Sequence, residues 1–140
     1  MNSIDESMVF ELSREFSATQ GALFDAFINP DTLKGIWGVS SILVDAKPGG
    51  HARATLTIAG ENWDFTITYQ EVTFPETLRW VVRFDRFPSK ETWASLFFRA
   101  TAGGSKVKVR MENFDSVVER DSNRQAWEGA LTKLEAIIVG

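Results

Sequence analysis

Residues 122–138, Ser-Asn-Arg-Gln-Ala-Trp-Glu-Gly-Ala-Leu-Thr-Lys-Leu-Glu-Ala-Ile-Ile, put Trp127, Leu131, Leu134 and Ile138 on one helical stripe, flanked by Ala130 and Ile137. Ser122 with Gln125 three residues later has the capping-box pattern, so the spacing predicts a helix from there to the C-terminus. Burying the large side chains of that stripe contributes on the order of 6 to 12 kcal/mol before entropy, at about 1.5 to 3 for each. This is comparable to the net stability of a small domain. Loss of the helix is therefore expected to unfold the chain.

Upstream, the sequence reads as strands for that helix to cover. From Met8 to Phe16 apolar Met8, Phe10, Leu12 and Phe16 alternate with Glu11, Ser13 and Glu15, the period-two pattern of a half-buried strand. Thr19 can cap a short helix carrying Leu23, Phe24, Phe27 and Ile28, which ends near Asn29-Pro30. A second short helix, Pro30 to Trp37, has proline at its start and Gly38 just past its end. Six further strands follow: Ser41 to Ala46, His51 to Ala59, Asn62 to Phe74, Thr77 to Phe84, Glu91 to Thr101 and Ser105 to Phe114. Gly and Pro punctuation at 47–50, 59–61, 74–76, 87–89 and 102–104 reads as hairpins, so an antiparallel sheet is expected throughout. The fold class is α+β: a curved antiparallel sheet around a long C-terminal helix, in one domain spanning residues 1–140.

Composition narrows the function classes. The chain has 140 residues, 44% of them hydrophobic, no cysteine, one histidine and a formal net charge of −4. No apolar run approaches the roughly 20 residues of a membrane span. The polar, acidic start Met1-Asn2-Ser3-Ile4-Asp5-Glu6-Ser7 does not resemble a secretory signal, so a cytoplasmic location is expected. The acidic balance argues against nucleic-acid binding. Without cysteine, and with His51 in an outward strand phase after Gly49-Gly50, neither a transition-metal site nor a histidine-based triad is expected. The glycine pairs lack phosphate-loop spacing and join strand to strand, so no nucleotide cofactor is implied. Asp45, Asp64 and Glu91 read as solvated carboxylates.

The inward phases are Ala52, Ala54, Leu56, Ile58; Trp63, Phe65, Ile67, Tyr69; Leu78, Trp80, Val82, Phe84; Ala94, Leu96, Phe98, Ala100; and Val107, Val109, Met111. Alanines beside large aromatics leave space that can persist as a pocket. Trp63, Phe65, Tyr69, Trp80, Phe98, Met111, Trp127 and Leu131 are the candidate ligand-binding residues, and no catalytic residue is assigned. The competing reading is that the tryptophans simply fill the interior. Tyr69, Asn113 and Arg14 are the polar groups placed inward. On the outer phase Arg79, Arg83, Arg99, Lys106, Lys108 and Arg110 surround Trp93 and Phe97. Pairing with Glu11 and Glu15 would neutralise part of that cluster, and Trp93 with Phe97 forms a patch through which two copies could associate.

Read in order, Glu11-Leu12-Ser13-Arg14-Glu15-Phe16-Ser17-Ala18, Leu23-Phe24-Asp25-Ala26-Phe27, Asn29-Pro30-Asp31-Thr32-Leu33 and Trp37-Gly38 resemble the opening of the START-like (SRPBCC) superfamily. The nearer resemblance is to the branch named after the C-terminal domain of the activator of heat-shock protein 90 ATPase. It continues through Lys47-Pro48-Gly49-Gly50, Gly104-Ser105-Lys106-Val107-Lys108-Val109 and the Trp127, Leu131, Leu134 stripe, covering nearly the whole chain. The chain departs from the pattern at Ile36, where tryptophan is commoner, and at Met111, where histidine is frequent. The resemblance implies the helix-grip fold, sheet order 1-7-6-5-4-3-2, and a cavity between sheet and helix. Members of the superfamily include lipid and polyketide binders, cyclases and a co-chaperone domain. The leading expectation is a module that binds a small, largely apolar molecule. The alternatives are a protein-interaction module stimulating a chaperone ATPase and, third, a cyclase or hydratase relying on Tyr69.

Overall fold

Turn chemistry and alternation give the meander its shape in the computed structural model, which describes residues 6–138. After a 3-10 turn at Glu6–Met8 come β1 (Phe10–Phe16), α1 (Gln20–Ala26), α2 (Pro30–Trp37) and β2 (Ser41–Val44). Then follow β3 (His51–Ile58), β4 (Glu61–Thr73), β5 (Thr77–Phe84), β6 (Thr92–Thr101), β7 (Gly104–Glu112) and α3 (Val117–Ile137). The seven strands form one sheet in the order β1-β7-β6-β5-β4-β3-β2, every neighbour antiparallel. The expected α+β helix-grip architecture is thus the observed one.

Local sequence explains the junctions. Thr19 caps α1 by accepting from the Ala22 amide at 3.2 Å, and Asn29 caps α2 by accepting from the Thr32 amide at 3.1 Å. Gly38 ends α2 in the left-handed conformation. Gly104 serves a different need, since a Cβ there would lie 2.2 Å from the Phe16 carbonyl oxygen where β7 meets the end of β1. Within β4 the register shifts between Tyr69 and Glu71, a bulge that bends the longest strand and helps the sheet curl. Cross-strand partners alternate large with small on the inner face: Phe65 faces Ala54, Ile67 faces Ala52, and Ala94 lies between Trp80 and Met111. The concave face so formed is apolar and uneven.

α3 lays its stripe of Trp127, Ala130, Leu131 and Leu134 into that face, with Leu131 and Leu134 wholly buried. Truncating either leucine to alanine would cost about 2 to 5 kcal/mol. Polar straps fix the helix to β1: Arg14 donates to Thr132 at 3.2 Å and to Glu135 at 2.9 Å, and Arg124 donates to the Glu11 carbonyl at 3.2 Å. Glu11 in turn accepts from Arg110 on β7 at 3.0 Å, and this bond holds its carboxyl below the usual carboxylate range. Arg14 is on the inner phase as expected, but its task is to bridge strand and helix.

Several expectations need correction. α3 starts before Ser122: Ser116 is its N-cap, accepting from the Glu119 amide at 3.1 Å, while the Glu119 carboxylate accepts from the Asp115 amide at 3.2 Å. The chain holds two cap-like patterns, and the earlier one operates because helical φ and ψ already run through Ser122. Met8 belongs to the 3-10 turn rather than to β1. Asn113 does not point inward; its left-handed backbone, φ 73°, turns it outward, where its amide donates to the Glu91 carbonyl at 2.7 Å. Ala100 and Ile58 are exposed, Ile58 by 52%, because both lie at strand ends beyond the helices' cover. Ile137 is likewise 52% exposed, and Ile138 is only half-buried.

The cap assignment is directly testable by urea denaturation. Ser116→Ala is expected to lower the unfolding free energy by about 1 kcal/mol. Ser122→Ala, a surface change inside the helix, should stay within about 0.5 kcal/mol. Equal effects of the two substitutions would contradict the assignment.

Candidate functional site

The helices leave the middle of the sheet partly uncovered. α1 packs on β6 and β7, α2 on β2 and on α3, and α3 on β1. The inner residues of β3, β4 and β5 therefore look into a cleft of about 390 Å³, walled by Leu56, Phe65, Ile67, Trp80, Val82 and Phe84. Facing them are Ile36, Trp37 and Val39 at the end of α2, and Ala126, Trp127, Gly129 and Ala130 on α3. Small residues at helical spacing on α3 are what keep the space open: side chains the size of leucine at 126, 129 and 130 would fill it.

Three tryptophans shape one wall. Trp37 meets Trp80 at 6.1 Å and Trp127 at 6.3 Å, both edge-on, while Trp80 and Trp127 stack at 6.3 Å. Trp127 is further fixed by its indole N–H, 3.0 Å from the Met111 sulfur. Such pairs add about 0.5 to 1.5 kcal/mol each beyond burial, so the wall is built to keep its shape. Thr92, Asn123 and Lys133 bring the polar side-chain ends, together with the indole nitrogens, and among the described residues no carboxylate lines this compartment. A second compartment of about 610 Å³ adjoins it, sharing Leu56, Val82, Phe84, Thr92 and Asn123. Its outer part holds Ile58, Trp63 and Phe87, with the Arg86 guanidinium 3.9 Å above the Trp63 ring.

Of the residues singled out from sequence, Phe65, Trp80, Met111 and Trp127 line the first compartment, and Trp63 lines the second. Tyr69, Phe98 and Leu131 line neither; they are buried in the packed part of the interior. Phe98 is held by Phe24 at 5.2 Å and Phe27 at 5.7 Å, under α1. Trp37 and Lys133 were missed by strand phases, because both stand on helices. The helical spacing of Ala126, Gly129, Ala130 and Lys133 was the available signal.

The outer face is largely self-neutralised. Arg79 pairs with Glu71 at 3.1 Å and covers the half-buried Phe97, Arg83 pairs with Glu91, and Lys108 and Arg110 both pair with Glu11. Glu15 faces Lys106 in register, but among the described residues neither Lys106 nor Arg99 has an ion pair. Trp93 is 40% exposed. His51 lies on the outer face with Nδ1 3.1 Å from the Thr68 hydroxyl. Among the described residues no cluster of potential metal ligands occurs, and no helix is long and apolar enough to cross a membrane.

Tyr69, the chain's one tyrosine, is buried beside Trp80, and burial pushes its hydroxyl up to about 12. A raised folded value means that its contribution to stability is complete below about pH 10 and is lost as pH rises toward 12. Absorbance at 295 nm should show tyrosinate appearing near pH 12 in the native protein and near 10 in urea. A native midpoint near 10 would mean that the phenol reaches solvent.

Comparison with known proteins fits this geometry. The model of the family described as Activator of Hsp90 ATPase homolog 1-like protein matches residues 17–138. No curated protein matches by sequence. Protein CV1439 from Chromobacterium violaceum shares 20% identity over 93% of this chain and 96% of its own, with a TM-score of 0.82. Protein Ms6760 from Mycobacterium smegmatis shares 16% over 99% and 97%, with a TM-score of 0.78. PFC0360w, described as an HSP90 activator from Plasmodium falciparum, shares 21% over 93% and 95%, with a TM-score of 0.75. At these identities the solved structures establish a common fold, and the match of the family model over most of its length makes the chain a member of the Activator of Hsp90 ATPase homolog 1-like family.

Proposed function

We propose that the chain binds a small, largely apolar molecule in the cleft between the sheet and α3. The observation that carries this reading is the cluster of Trp37, Trp80 and Trp127 beside the small residues Ala126, Gly129 and Ala130, around a volume of about 390 Å³. A volume of that size falls in the range of small-molecule sites. Within the proposal Phe65, Trp80, Met111 and Trp127 contact the ligand. Trp63 contacts only a molecule that extends into the second compartment, and Tyr69, Phe98 and Leu131 support the wall from behind. The described lining residues bring no acid/base pair, so binding explains the site better than turnover.

The test uses the neutral fluorescent probe N-phenyl-1-naphthylamine. Native protein should bind it with quenching of tryptophan emission. Ala126→Trp, which puts bulk at the cleft from an exposed helical position, should weaken binding about tenfold or more while the protein stays folded. Absence of binding by the native protein, or unchanged binding by the variant, would remove the proposal.

A second reading, stimulation of a chaperone ATPase in the cytoplasm, is supported by the family and by the outer face. Arg99 and Lys106 stand directly opposite each other on β6 and β7, a like-charge pair that an acidic partner would relieve. The pair Arg99→Glu and Lys106→Glu should abolish stimulation of an Hsp90 ATPase and leave probe binding intact. Equal stimulation by native and charge-reversed protein would exclude this use of the face.

A further inference from the structure

From the charge distribution along α3 we infer that the ligand is an anionic amphiphile, with its single negative group at Lys133 and its apolar tail running along the helix toward Asn123. The inference rests on the cleft being a binding site and names the class of molecule it takes.

Among the described residues Lys133 brings the one formally charged side chain in the first compartment, and no carboxylate accompanies it. The other cations of α3 are engaged: Arg120 pairs with Asp121 at 2.9 Å and Arg124 with Glu128 at 3.1 Å. Lys133 has no ion pair among the described residues. Its sequence offers none at helical spacing either, because positions three and four away hold Ala130, Gly129, Ala136 and Ile137. Its two helical neighbours on the N-terminal side, Gly129 and Ala130, are small residues that open the cleft.

The opposite end carries both signs of charge. Arg86, Lys90, Asp115 and Glu119 line the second compartment, Asp115 paired with Lys90 at 2.6 Å, Arg86 paired with Glu61 at 3.3 Å and Glu119 occupied in capping α3. The charges there are already partnered, whereas Lys133 has no ion pair among the described residues, so an anion is drawn to Lys133 and the molecule is oriented by it. The partial negative charge of the nearby helix end is about half an elementary charge, which the full charge of the ammonium outweighs. From Lys133 to Asn123 the helix rises about 15 Å. Walls along that path are aliphatic or aromatic, with Thr92 and Asn123 at the far end, where the second compartment gives further room.

Dodecanoate, 1-dodecanol and dodecylamine form a matched set with one tail and three head charges, each assayed by displacement of N-phenyl-1-naphthylamine. The native protein should prefer dodecanoate to dodecanol by roughly fivefold to tenfold, within reach of one partly exposed ion pair. Dodecylamine should bind more weakly than either. Lys133→Met should bring dodecanoate and dodecanol to parity, and Lys133→Glu should favour dodecylamine. An unchanged dodecanoate preference in Lys133→Met, or no preference in the native protein, would overturn the inference while leaving the cleft a binding site. Failure of all three to displace the probe, in a protein that binds it, overturns the amphiphile class. Failure of the probe itself overturns the cleft reading and this one with it.

Discussion

A width mismatch governs this molecule. Seven strands at about 4.8 Å spacing make a sheet about 29 Å across, and one α-helix is only about 10 to 12 Å wide. No single helix can cover the apolar concave face, so α3 must be anchored toward one side and the remainder closed by other means. Arg14, Arg120 and Arg124 tie α3 to β1 and the segment before it, which fixes that side. α1 closes over β6 and β7, and α2 reaches between β2 and α3. What stays open is the strip over β3, β4 and β5, bounded by the tryptophans of α2, β5 and α3. The cleft is therefore a consequence of how the covering elements are distributed, and the small residues of α3 preserve it.

The same constraint divides the inner residues into two populations that strand phase alone treats alike. Phe98 and Tyr69 alternate inward as faithfully as Phe65 and Trp80, yet Phe98 is consumed by α1 through Phe24 and Phe27, and Tyr69 is buried behind Trp80. Period-two alternation specifies which face a residue takes, but the position of the covering helix decides whether it ends in packed core or in open space. That position depends on non-local contacts such as Arg14 with Glu135, separated by most of the chain.

This is why the fold was legible in the sequence and the site only partly. Strand existence, hairpin connection and the α2 boundaries rest on local rules, and β5 and α2 have the residues that alternation, proline and glycine assign them. Ser116 and Ser122 show the limit of a local rule: both satisfy a cap-like pattern, and only the start of helical backbone after Ser116 distinguishes them. Asn113 shows another, since alternation carried one step past the end of β7 fails once φ turns positive. Lys133 and Trp37 escaped because a search confined to strand phases does not ask which helical faces are built of small residues.

The outer face and the cleft lie on opposite sides of one sheet, and this separates their chemistries. Cations of the outer face meet solvent and nearby carboxylates, where pairs such as Arg79 with Glu71 contribute at most about 1 kcal/mol and weaken with salt. Lys133 is exposed but borders an apolar volume whose described lining brings no other formal charge, so a single charge there has influence over what enters. Charge number therefore favours the outer face, but charge leverage favours the cleft. On the proposed reading, a protein with a net charge of −4 sets beside its tryptophan cluster one ammonium that has no ion pair among the described residues, and that single charge selects what an otherwise apolar space takes.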